Sequence, residues 1–330
     1  MTSRQPRIVA IGDLNGSVDP LRTILRGTGV IATRDRWIGG ATHVVQVGDV
    51  FNRGGTAREA LDLLMRLAPQ AARAGGSVTM LLGNHEAMTL LGNEAYCSES
   101  EYLSFATQKQ RTDWKRTRDR GLRKVYRDHP PGGPIEPLEP RFAVWRIRNV
   151  PGRLAMRRAL KPSARFGRFL RSCRVSVRIG DTVFCHAGIE PRWARLGAAR
   201  LDRLVQEAWD KGPGFFGDLP PRSILRDARG PLWNRTLSTE SGPRVERALE
   251  QSLAALGAKR MVVGHTLTAR VPDGAWGRIA TRFDNRLVCI DVGLGRDDDA
   301  PIAGLVIDGA TAHEWTPQDT RRLWGPAPGA

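Results

Sequence analysis

Residues 12–16 (GDLNG), 48–54 (GDVFNRG) and 83–86 (GNHE) decide the reading of this chain, because each follows directly on an apolar run of strand character. Those runs are RIVAI (7–11), THVVQV (42–47) and SVTMLL (77–82). A polar block behind such a run sits at a strand end. Parallel strands of one sheet would therefore bring Asp13, Asp49, Asn84 and His85 into a common crevice.

Divalent cations take carboxylate, amide-carbonyl and imidazole ligands, and glycines beside them let the backbone turn sharply and approach closely. Two cations roughly 3.5–4 Å apart can share one carboxylate, activate a bridging water and neutralise a phosphoryl group. Asp49 is the natural bridge. Further along, FCHAGIEP (184–191) supplies His186 and MVVGHTLT (261–268) supplies His265, again behind β-branched apolar runs. With Asn84 they complete a nitrogen-rich second site.

The order GD-x-x-G, GD-x-x-x-RG, GNHE, HAG and GHT resembles the calcineurin-like metallophosphoesterases. Within them it is most similar to the PPP-type serine/threonine protein phosphatases, especially the Shewanella-like branch, and GPLWNR (230–235) is similar to a block which that branch carries between its late histidines. The resemblance implies that Asp13 and Asp49 hold the first metal. It implies Asp49, Asn84, His186 and His265 around the second, and His85 as general acid. Arg53 would be a bidentate phosphate clamp, since a guanidinium fork matches two phosphoryl oxygens, and Arg235 a second one. Arg235 could instead stack on Trp233 or pair with Asp227. The implied reaction is hydrolysis of phosphomonoesters, phosphoserine or phosphothreonine on proteins, by a metal-bridging hydroxide.

Two departures bear on the chemistry. Asn15 stands where the family's first block carries histidine. Its amide oxygen could still ligate, more weakly and with harder character, which favours manganese or magnesium over iron or zinc. Asn52 stands where relatives carry an aspartate that orients and charges the general acid, so proton donation by His85 should weaken near neutral pH. Alternatives are a dinucleoside polyphosphate or nucleotide hydrolase and a degenerate, phosphate-binding pseudoenzyme. His43 reads as a sheet residue, and His129 and His313 as solvent-facing.

The alternation of helix and strand, followed by late strands, gives a four-layer α/β/β/α sandwich of two mixed sheets. We expect the phosphoesterase core at 1–98 and 173–315, a basic insertion or lid at 99–172 and a loose tail at 316–330. Of the net charge of +17, residues 109–178 carry +16, from 21 Lys and Arg against 5 Asp and Glu. Such a field over the crevice would steer anionic substrates inward. The insertion should open with one or two amphipathic helices, the first capped within SESE, and break at HPPGGPIEPLEP. Its aromatic residues, Tyr102, Phe105, Trp114, Tyr126, Phe142 and Trp145, suit a small satellite core or stacking on bases; a nucleic-acid partner is possible but not favoured. No apolar run reaches the ~18 residues of a membrane helix, and the first strand starts at once, which leaves no room for a signal peptide. The four scattered cysteines then read as reduced and the chain as cytoplasmic.

Overall fold

The computed structural model describes residues 6–128, 138–211, 215–297 and 299–326. Among these, strands β1 (Ile8–Ile11), β2 (His43–Gln46), β3 (Ser77–Met80), β4 (Ser176–Ile179), β5 (Thr182–Cys185), β6 (Arg260–Leu267), β7 (Ala280–Arg282), β8 (Leu287–Asp291), β9 (Gly304–Asp308), β10 (Thr311–Trp315) and β11 (Thr320–Trp324) form two sheets. One runs β11-β10-β9-β1-β2-β3 and the other β4-β5-β6-β8-β7. Each is mixed: β1, β2 and β3 are parallel, as are β5, β6 and β8, while β9, β10 and β11 in the first sheet and β4 and β7 in the second pair antiparallel with their neighbours. Helices cover both sides, giving the expected sandwich. Every residue of β1, β5 and β8 is buried, as strands between two covering layers must be, while the edge strand β3 is half-buried.

The crossover helices follow their sequence signals. Asp19–Gly27 begins with Pro20 in the first turn, where a missing N–H costs nothing, and buries Leu21, Ile24 and Leu25. Ala57–Arg73 buries Ala57, Ala60, Leu61, Leu63, Leu64, Leu67 and Ala71 along one stripe. Pro243–Leu256 ends on Gly257 at φ 61°, a left-handed position that glycine takes without strain. His43 is a sheet residue whose Nδ1 meets Ser77 Oγ at 2.7 Å, and His313 is half-buried in β10 rather than facing solvent.

The insertion is built of helices Glu99–Ser104, Gln108–Asp128, Leu138–Asn149, Arg153–Ala159 and Arg165–Arg171. Ser98 Oγ caps the first by accepting the Glu101 N–H at 3.0 Å. The expected break at 129–137 and His129 lie outside the described residues, as do the side chains of Tyr126 and Phe142. Tyr102, Phe105 and Trp114 are buried, and Trp114 stacks on Trp145 at 6.1 Å between ring centres, so these rings make a satellite core and are not free for bases. Several of the segment's arginines pair with acids outside it. Glu94 takes Arg153 at 2.7 Å and Arg157 at 2.5 Å, and Asp62 takes Arg165 at 2.5 Å.

The C-terminal stretch also departs from expectation. The stretch 316–330 is not a loose tail throughout, because Thr320–Trp324 adds β11 to the edge of the first sheet. Trp324 is buried under the Arg260 guanidinium, 4.7 Å from its ring centre, and Arg321 pairs at 2.6 Å with Glu314, whose side chain is otherwise buried. Packing and neutralisation of that carboxylate hold the strand in place. The four cysteines are buried free thiols. No helix among the described residues is long and apolar enough to cross a membrane.

Candidate metal centre

The parallel strands of both sheets end at the same crevice. β1 delivers Asp13, β2 Asp49, β3 Asn84 and His85, β5 His186, β6 His265 and β8 Asp291. His265 reaches it through an irregularity. The β6–β8 register breaks between Val263 and Leu267, and His265 adopts φ 61°, which turns the side chain out of the ladder. Gly264 beside it is obligatory, since a Cβ there would stand 2.2 Å from Asp13 Oδ1. Asn15, Asp49, Asn52 and Arg53 are also left-handed, so backbone strain concentrates at this crevice.

Asp49, His186 and His265 offer ligand atoms that all lie within 4.8 Å of one another, and all three residues are buried. Asp49 is held from several directions. Its carboxylate accepts the His85 N–H at 3.0 Å, His186 Nε2 is 3.4 Å from Oδ1 and His85 Nε2 is 3.7 Å from Oδ2. Its loop is built around buried Glu86, whose carboxylate accepts the N–H groups of Asp49 and Val50 at 2.8 Å and of Phe51 and Gly83 at 3.0 Å. The glutamate of GNHE is therefore the residue that shapes the second block.

The donor set suits a cation. His186 Nδ1 lies 2.9 Å from the Val47 carbonyl and so carries the proton, while burial holds the ring below the usual histidine range and neutral. Its bare Nε2 faces Asn84 Oδ1 at 2.8 Å. His265 is held well below the usual range by burial and by the nearness of His186 and Arg235, its ring interacts with the Trp233 backbone, and its Nε2 is buried without a partner. Burial, then Asp291 and Asp49, raise the Asp13 carboxyl well above the carboxylate range. Crowded buried carboxyls beside unpartnered imidazole nitrogens are what bound divalent cations would satisfy.

Sequence reasoning passed over Asp291, Arg296, Glu86, Glu101 and Tyr96. Asp291 is fully buried, with Oδ1 accepting the Gly293 N–H at 3.2 Å and Oδ2 unpartnered. Burial pushes it up to about 6, against the pull of Arg296. IDVG (290–293) followed by Arg296 had the form of the earlier blocks, an acid at the end of an apolar strand. Asn15 directs its amide hydrogens at the carbonyls of Leu294, 3.0 Å, and Asp13, 3.4 Å. It thereby ties the first block to the loop carrying Arg296, and any ligand role falls to its Oδ1.

His85 is half-enclosed by two neighbours. Its Nδ1 meets Asn52 Oδ1 at 2.7 Å, and its ring lies 4.8 Å from that of Tyr96. Burial holds it below the usual range, opposed by the Asp49 charge and reinforced by Arg53, Arg296 and Arg235. Arg53 is exposed and lies 5.2 Å from the Tyr96 ring centre. Arg235 neither stacks on Trp233 nor pairs with Asp227, which is taken by Arg192 at 2.9 Å. It donates instead to the His265 carbonyl at 2.9 Å. Three guanidiniums thus act on the charge of one imidazole at the mouth of an acid-lined crevice.

A family model for the calcineurin-like phosphoesterases matches residues 6–269, and the chain belongs to that family. It is a metal-dependent phosphoesterase by class. Shewanella-like protein phosphatase 2 of Arabidopsis thaliana is 33% identical over 287 residues, spanning 84% of this chain and 70% of the relative. Shewanella-like protein phosphatase 1 of Plasmodium berghei is 36% identical over 99 residues, 30% of this chain and 27% of the relative. Among solved structures, a cold-active protein-tyrosine phosphatase of a psychrophilic Shewanella has a similar fold, with TM-score 0.69 and 23% identity over 97% of this chain and 81% of that one.

Proposed function

We propose that this protein is a phosphomonoesterase acting on phosphorylated proteins, with phosphoserine and phosphothreonine as its preferred groups. The observation that carries the reading is the convergence of Asp49, His186 and His265. Asp13 and Asp49 would hold the first of two divalent cations, with Asn15 Oδ1 as a weaker donor, and Asp49, Asn84, His186 and His265 the second. Carboxylate and amide oxygen at the first site favour manganese. Bound cations would supply charge neutralisation for the phosphoryl oxygens and acidify water beside them.

The chain's own residues do the rest. Arg53, Arg235 and Arg296 receive the phosphoryl oxygens, and their charge favours an anion at the mouth of the crevice. His85 donates to the departing oxygen from Nε2, while Asn52 holds Nδ1. Serine and threonine alkoxides are poor leaving groups and need that proton more than a tyrosine phenolate does; the Asn52 oxygen on Nδ1 leaves Nε2 as the nitrogen that would give it. The names of the similar proteins, protein phosphatases, agree with a phosphoprotein substrate.

The test is manganese-dependent hydrolysis of phosphoserine, phosphothreonine and phosphotyrosine peptides by the natural chain and by Asp49→Asn. Hydrolysis of the first two, lost in the variant, supports the reading. Equal rates in both proteins exclude the centre, and turnover confined to phosphotyrosine excludes the substrate preference.

A further inference from the structure

Asn52 occupies the position where a carboxylate would orient the general acid, yet its amide is not free to turn. Its backbone N–H is accepted by Glu101 Oε1 at 2.8 Å, and its Nδ2 donates to Glu101 Oε2 at 3.2 Å. In its ionised form, above the value of about 7 to which burial raises it, this carboxyl only accepts, so the end of the amide that faces it is then the NH2. Cys97 Sγ at 3.2 Å and Thr89 Oγ1 at 3.3 Å receive the same group. The amide oxygen is thereby left for His85 Nδ1, 2.7 Å away.

Glu101 is itself unusual. It is fully buried on the first helix of the insertion, and no cation pairs with it among the described residues. A buried carboxyl of this kind opposes folding unless hydrogen bonds satisfy it, and those it makes run to Asn52 and, within its own segment, to Cys97 and Ser98. The negative group absent at position 52 thus stands one residue further from the imidazole.

We propose that Glu101 is a positioning residue for proton transfer: it locks the Asn52 amide so that its oxygen holds the Nδ1 proton of His85, and the second proton, taken up on Nε2 to form the imidazolium, is the one passed to the departing oxygen as the ring returns to its Nδ1–H form. The proposal rests on the phosphoesterase reading for its catalytic consequence, and on the hydrogen-bond geometry alone for the tautomer. It also makes the insertion part of the catalytic apparatus, since its first helix carries the residue that fixes the general acid.

The test compares the natural chain, Glu101→Gln, Asn52→Asp and the double variant, each loaded with manganese. Substrates are aryl phosphates graded in leaving-group basicity, and the second readout is 15N NMR of the His85 ring. Glu101→Gln leaves one acceptor where two are needed. We expect kcat to fall about tenfold or more for phenyl phosphate and to stay nearly unchanged for dinitrophenyl phosphate, which needs no acid. KM and bound metal should not change. Asn52→Asp alone sets two buried carboxyls against each other and should be impaired; joined to Glu101→Gln it should recover, because the charge has only moved one step. Equal losses on both esters, or no recovery in the double variant, would overturn the proposal. Should the variants fail to fold, the natural chain still decides: an His85 Nδ1 without its proton overturns it. If the natural chain hydrolyses no phosphate although the ring shows Nδ1–H, the enzymatic reading fails and the positioning stands.

Discussion

His186 Nε2 and Asn84 Oδ1 meet at 2.8 Å while the Val47 carbonyl, 2.9 Å from Nδ1, already holds the only proton of the neutral ring. Nε2 therefore presents a lone pair within a buried site, with His265 Nε2 unpartnered beside it. A cation bound there would take up both nitrogens.

Cation binding should therefore stabilise the fold as well as enable the chemistry. At a hundredfold excess over Kd, a ligand that binds only the folded state contributes about 2.7 kcal/mol. We expect the melting temperature to rise by several degrees on adding manganese and to fall again with chelator. His265→Ala should abolish most of that rise, and an undiminished rise measured by calorimetry would remove His265 from the ligand set.

Arg296 sits on a loop tied to the first block by the Asn15 Nδ2 to Leu294 carbonyl bond of 3.0 Å. Arg296→Gln should weaken inhibition by inorganic phosphate about tenfold, the usual scale of one charge-assisted contact. Asn15→Ala should act in the same direction by freeing the loop. The two effects should not add, because both remove the same guanidinium from its place; additive losses in phosphate affinity, read by titration calorimetry, would separate them.

Glu101 gives a pH signature. Burial raises its carboxyl from the ordinary 4.5 to about 7, so between these values the folded chain binds more protons than the unfolded one. Stability contributed by that proton is complete below about 4.5 and is lost as pH rises toward 7, over a range of up to about 3 kcal/mol. Glu101→Gln should flatten this part of the stability profile, measured by urea unfolding at a series of pH values. A profile unchanged in slope would contradict the shift.

Glu94 fastens the insertion. Its carboxylate, drawn below the usual range by Arg157, Arg153 and the Tyr102 hydroxyl against the cost of burial, holds Arg153 at 2.7 Å and Arg157 at 2.5 Å. Glu94→Gln leaves those partners half-satisfied and should cost about 1–3 kcal/mol. Hydrogen exchange should show the loosening in 153–171 before it reaches β1 or β2.

The fold and the centre of the site were legible because parallel strands put their next polar residue at one edge, and Asp13, Asp49, Asn84, His186 and His265 each stand directly behind, or at the end of, an apolar run. What escaped was support reached through space. Glu86 looked like a ligand motif's last letter, yet it serves four backbone N–H groups. Glu101 lay in SESE, read only as the cap of a helix, and a capping signal says nothing about one buried carboxyl beside it. Asn15 and Asn52 read as losses because an amide's partner is invisible in sequence; each proves to be spent on a specific carbonyl or carboxylate. The β11 residues were misjudged from neighbouring Pro and Gly, although TRRLW offers Trp324 to the core and Arg321 to Glu314.

Asp49 and His265 hold left-handed backbone at φ 55° and 61°, a conformation costing an L-residue of this kind about 1 kcal/mol or more. Evolution toward mere durability would place glycine at both. A thermal screen of variants run on cation-stripped protein would accordingly reward Asp49→Gly, and the same screen run with manganese present would reject it. Ranking by heat resistance and ranking by usefulness would diverge at the very residues proposed to hold the metals.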